Sequence, residues 1–152
     1  MIKRLAGCVR QYKKASILTP IFMVLEVTME VIVPLLMARL IDYGIDKGDM
    51  GYITKMGVVL VIACLMSLSF GALSGKFAAI ASAGFAKNLR HDMYYNVQNF
   101  SFSNIDKFST ASIVTRLTTD VTNLQNSYQM IIRIAVRAPM ILLFSLIMAF
   151  TI

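Results

Sequence analysis

Three long apolar runs alternate with two polar gaps of very different length. The runs extend from about Ser16 to Ile41, from Lys55 to Ala86 with Lys76 as an interior charge, and from Ala138 to Ile152. Apolar residues clustered over such lengths predict membrane helices, not the alternating faces of a soluble core. The first gap, Asp42 to Gly51, is a short loop by its glycines and aspartates. The second run exceeds what one bilayer needs, so its helix is expected to project beyond the membrane.

The second gap, residues 87–137, keeps a helical pattern outside the apolar runs. Leu89, Met93, Val97 and Phe100 form an apolar stripe beside Arg90, His91, Asp92 and Asn96. From Lys87 to Phe102 this predicts a rod of roughly 24 Å. Ser103, Asn104, Ile105 and Asp106 supply break and cap residues, and a new helix is expected near Ser109 or Thr110. Its apolar face is expected to carry Ile113, Leu117, Val121, Leu124 and Tyr128 before the chain re-enters the membrane past Arg133 and Arg137. The segment 1–14 places Ile2, Leu5, Val9 and Tyr12 at helical spacing among five basic residues, the pattern of an interfacial helix. The third run covers roughly 22 Å of helix, short of a full crossing, so the chain reads as a fragment or truncation of something longer.

Composition agrees with the pattern. Apolar residues make up 57% of the 152 residues, mean hydropathy is +0.69, and charged residues are 15%, against about 25% in a soluble domain. The net charge of +7 fits nucleic acid or a cytosolic membrane flank; its placement beside apolar runs favours the membrane and no nucleic-acid partner. The first run is too long for a signal peptide and contains Glu26, Glu30 and Pro34. Cys8 and Cys64 lie in unlike settings without metal spacing, which argues against a disulfide or a metal site.

Lysine and arginine counts set the expected orientation. The N-terminal flank holds Lys3, Arg4, Arg10, Lys13 and Lys14; the long gap and its flanks hold Lys76, Lys87, Arg90, Lys107, Arg116, Arg133 and Arg137. The N-terminus and the long hairpin are therefore expected in the cytoplasm, with the short acidic loop outside. The fold class is an all-α, multi-pass protein of the plasma membrane, with helices extending into the cytoplasm.

Glu26 and Glu30 stand one turn apart in the first run. Carboxylates at such depth face a cavity, a polar partner or a pathway. They are open to two readings: a site for a cationic substrate or a proton, or a structural role, paired with basic or polar groups on another helix or lining an inner cavity wall without substrate contact. Pro34 is expected to kink the helix. The lone His91 has no companion ligand, and the eleven methionines read as packing. Ser67, Ser69, Gly71, Ser74 and Gly75 form a small-residue set that predicts close helix packing. No phosphate-binding glycine loop or catalytic triad is present, so no catalytic residue and no cofactor are expected in this chain.

The residues in hand resemble the N-terminal part of the membrane domain of ABC exporters, six-helix half-transporters of the bacterial, multidrug type. The likeness rests on the basic N-terminal segment and the span after it, Leu40 to Ile45, Asn88-Leu89-Arg90 with Val97 to Ser101, and Ser109 to Val121. Arg133 to Pro139 is similar to the start of the family's third helix. Ala111 and Ser112 stand where many members have glycine and an acid, which suggests a subfamily. The resemblance implies domains 1–14 (interfacial) and 15–152 (membrane domain, spans near 16–41, 55–86 and 138–152, hairpin 87–137). It also implies that Ile105, Asp106, Lys107, Phe108, Ser109, Thr110, Ala111 and Ser112 form a coupling helix against a nucleotide-binding domain, with Arg116 and Asp120 in the motif after it. The expected partners are the bilayer, that domain with its MgATP, a second half-transporter and a small amphipathic substrate. The expected function is ATP-driven export, with this chain alone no ATPase. A stand-alone membrane adaptor and a passive channel subunit are the alternatives.

Overall fold

The computed structural model describes residues 7–99 and 110–151. All regular structure among them is helical: α1 (Lys13–Leu40), α2 (Met50–Gln98), α3 (Thr110–Thr115) and α4 (Val121–Thr151). A 3-10 turn, Arg10–Tyr12, leads into α1; π-helical turns extend α1 through Ile41–Ile45 and join α3 to α4 through Arg116–Asp120. Three of the resulting rods are long and apolar enough to cross a membrane. The 49 residues of α2 span about 74 Å, over twice the roughly 30 Å of hydrocarbon.

The first loop is tighter than its composition suggests, because the chain stays helical to Ile45 and breaks only over residues 46–49. Gly48 takes φ +67°, the left-handed value glycine adopts freely. Asp49 then caps α2, its carboxylate accepting from the backbone N–H groups of Gly51 (2.9 Å) and Tyr52 (3.1 Å). Both prolines within α1, Pro20 and Pro34, remove a backbone donor, yet the helix continues through them.

Helices α1 and α2 are antiparallel and pack through small and aromatic groups. Ser74 donates to the Thr19 carbonyl (3.3 Å), and Phe22 stacks on Phe77 at 5.6 Å between centroids. The close-packed face of α2 is Ser74, Ala78, Ala81 and Ser82, all buried, as expected where helices meet without a hydrophobic drive between them. Of the expected small set, Ser74 is on that face and Ser67 and Gly71 border it. Ser69 is exposed and turns its hydroxyl to Leu65 O, and a Cβ added at Gly75 would meet no atom within 4 Å.

Helix α4 runs parallel to α1 and antiparallel to α2. Its first turns close a core made by Cys8, Val9, Phe85, Ala86, Leu89 and Val121, with Tyr12, Met93 and Tyr128 around it. Phe85 and Tyr128 stack at 4.8 Å, and Ser16 shares a 2.8 Å hydrogen bond with Tyr128. Val121 and Tyr128 therefore take the inward positions expected of them, whereas Leu124 is 38% exposed.

Candidate functional site

The arms of the hairpin are braced before its tip is reached. Arg90 of α2 donates through Nε to Leu117 O (3.4 Å) and through Nη2 to Thr122 Oγ1 (3.1 Å). One guanidinium thus ties the π turn, at Leu117, to the first turn of α4, at Thr122. The planar, fork-like donor set of arginine suits that double grip. Of the predicted coupling residues, Ile105, Asp106, Lys107, Phe108 and Ser109 lie outside the described residues. Thr110 opens α3, Ala111 and Ser112 follow in its first turn, and Arg116 and Asp120 bound the π turn, both exposed. Met93, Val97, Ile113 and Leu117 line an apolar groove between the arms.

The N-terminal segment is fastened to the same arm. Arg10 binds both oxygens of Asp92 at 3.1 Å, and Asn88 donates to Cys8 O at 2.8 Å. The Tyr12 ring lies directly on Gly84, in the space that a Cβ there would need. These contacts hold Arg10 at φ +36°, a strained value for a residue with a side chain. Burial, aided by the Asp92 charge, pushes the Cys8 thiol above its ordinary pKa.

A second polar group sits midway along α1. Arg137 of α4 donates through Nη2 to Glu30 Oε1 at 2.6 Å and lies 3.8 Å from Glu26 Oε1. Glu26 rests on Gly71, where a Cβ would approach its Oε1 to 2.8 Å. Its other oxygen, Oε2, is buried with no hydrogen-bond partner among the described residues. Beside it a cleft of about 650 Å³ is lined by Glu26, Glu30, Cys64, Ser67 and Arg133. Arg133 also lines an adjoining cleft of about 530 Å³ with Met23, Gln129 and Arg137.

The structure thus brings Glu30 and Arg137 together, the structural pairing that the sequence left open, and Glu26 stands at its edge. It does not bring the acidic pair near the hairpin tip. Arg133 and Arg137, read from the sequence as flanking charges, lie opposite Met23 to Glu30 on the interior face of α4. Their spacing of four, continued backwards to Gln129, which accepts from Ser82 Oγ at 3.3 Å, is the signal that could have found this face.

Known proteins supply the frame for these two sites. Residues 16–152 match the ABC transporter transmembrane region. Over 122 residues the chain is 37% identical to an uncharacterized ABC transporter ATP-binding protein of Bacillus subtilis (strain 168), covering 80% of this chain and 21% of that protein. It is 25% identical over 148 residues to another such protein of Mycobacterium tuberculosis (strain ATCC 25618 / H37Rv), covering 93% of this chain and 24% of that protein. With the ATP-dependent lipid A-core flippase of Wigglesworthia glossinidia brevipalpis it shares 23% identity over 134 residues, 88% of this chain and 23% of the flippase. The chain spans under a quarter of the length of these relatives. A match over nearly the whole chain, on three apolar helices, places it in the ABC transporter transmembrane family, as a multi-pass membrane segment.

Proposed function

We propose that the chain forms the N-terminal part of the membrane domain of an ATP-driven exporter in the plasma membrane, with its N-terminus and hairpin in the cytoplasm. Residues 105–112, with Arg116 and Asp120, engage a nucleotide-binding domain that carries MgATP. Two such half-transporters work as a dimer, and closure of the nucleotide-binding domains moves α2 and α4 to alternate access for an amphipathic substrate. Glu26 and Glu30 belong to the wall of its path.

The brace between the arms is the main support for this reading. A force applied at the tip is useful only if the arms do not bend independently. The Arg90 grip, the Phe85–Tyr128 stack and buried Val121 tie α2 to α4 over that length. In the full-length protein, charge reversal at Asp106 or Arg116 should leave membrane insertion and ATP hydrolysis intact while transport falls. Transport unchanged in both variants sinks the coupling role.

A further inference from the structure

We propose that Glu26 and Arg133 form a binding site for a zwitterionic head group, one that carries an ammonium and a phosphate or carboxylate on the same amphiphile. The proposal rests on the reading of the chain as part of an export path, and it names the class of substrate taken there.

Four charged side chains, Glu26, Glu30, Arg133 and Arg137, face the clefts between α1, α2 and α4. The 2.6 Å contact commits Arg137 to Glu30, and those two neutralise each other. Glu26 shares Arg137 only through Oε1, at 3.8 Å, so its Oε2 and the Arg133 guanidinium are the anion and cation without a counterpart among the described residues. They line the same cleft of about 650 Å³ but form no ion pair with each other among the described residues. A purely cationic ligand would satisfy Glu26 and be repelled by Arg133; a purely anionic one would meet the reverse. A ligand with both charges satisfies both, and leaves neither protein charge uncompensated at depth, where that is costly.

The placement of Glu26 supports a receptive site over a merely structural one. Its carboxylate is seated on Gly71, which has no side chain to push it away, and its side chain is only 14% exposed. Oε1 faces Arg137 while Oε2 is buried and lacks a donor among the described residues, and a buried carboxylate oxygen without a donor is rare. An ammonium or its N–H groups would supply what is missing. Arg133, on the far wall of the same cleft, offers the forked donor geometry that suits phosphate or carboxylate. Cys64, Leu68 and Ala72 on α2 continue the lining with apolar surface, where the chain of an amphiphile fits.

The test uses the full-length protein in nanodiscs, without ATP, and three amphiphiles of equal chain length: hexadecylphosphoethanolamine, hexadecyl methyl phosphate and hexadecylammonium. The wild type should bind the zwitterion about tenfold tighter than either singly charged probe, the size of one lost charged contact. Glu26→Gln should lose about that factor for the zwitterion and spare hexadecyl methyl phosphate; Arg133→Gln should lose it and spare hexadecylammonium. A wild type that binds either singly charged probe as tightly as the zwitterion overturns the proposal. So does an equal loss for all three probes in both variants. The wild-type ranking stands even where a variant does not insert. Binding read without ATP is separate from the coupling experiment, so a failure of one leaves the other's outcome distinct.

Discussion

Replacing Arg137 by glutamine removes the cation that lies 2.6 Å from Glu30 and 3.8 Å from Glu26. A fully buried ion pair broken on one side costs about 3–5 kcal/mol. Here the side chains of Arg137 and Glu30 are 39% and 34% exposed, so that figure has to be discounted. Polar contacts between membrane helices average about 0.6 kcal/mol and reach about 1.7. The short, charge-assisted geometry puts this contact near the upper end, at about 1–2 kcal/mol. The assay is a double-mutant cycle on the full-length protein, with Arg137→Gln, Glu30→Gln and both together, read by reversible detergent unfolding. The double variant should be more stable than the sum of the single losses by about 1–2 kcal/mol. Strict additivity, with coupling below about 0.5 kcal/mol, would refute a pairing that ties α1 to α4.

Three further outcomes follow from single contacts. Gly84→Ala forces the Tyr12 ring out of its seat and should cost about 1–2 kcal/mol, the lost burial exceeding alanine's helix preference; it should lose that penalty in a Tyr12→Ala background, which thermal unfolding of both pairs of variants checks. Arg90→Gln should raise amide hydrogen exchange in residues 111–122, whose π turn it holds, while exchange near Ser74 stays unchanged; equal exchange in both proteins would remove the brace. Cys8 should alkylate more slowly than free cysteine at pH 8 and catch up only at higher pH, because burial and Asp92 raise its pKa and so reduce the thiolate present at a given pH; labelling at the rate of free cysteine contradicts that burial.

The long helices are legible in the sequence because their apolar runs exceed anything a turn or soluble strand explains. The projecting length of α2 follows from the same runs. Its start is less legible: the apolar run begins near Lys55, but the cap at Asp49 lets the helix begin at Met50, inside what reads as loop. The inner face of α4 cannot be found from hydrophobic periodicity. In a membrane the outward face is the apolar one, so a stripe of Gln129, Arg133 and Arg137 facing α1 and α2 is hidden when apolar residues are taken as inward. Leu124, also expected inward, is 38% exposed. Reading Arg133 and Arg137 as flanks has the same root, since charge near an apolar run looks like its boundary. The acidic pair stands out in the sequence, but its partner is more than a hundred positions away and only the parallel packing of α1 and α4 joins them. The seat of Tyr12 on Gly84 and the Arg10–Asp92 clasp are likewise products of tertiary packing, with no local pattern to announce them.

Coupling of the hairpin to a nucleotide-binding domain is the step on which the proposed function depends. A photo-cross-linking residue at position 106 of the full-length protein, in native membranes, probes that step at the point of contact. A cross-link to the nucleotide-binding domain is expected, with a yield that changes when MgATP is added. A residue at 106 that reacts only with reagents on the outer face, or with no part of that domain at any nucleotide state, contradicts the coupling role.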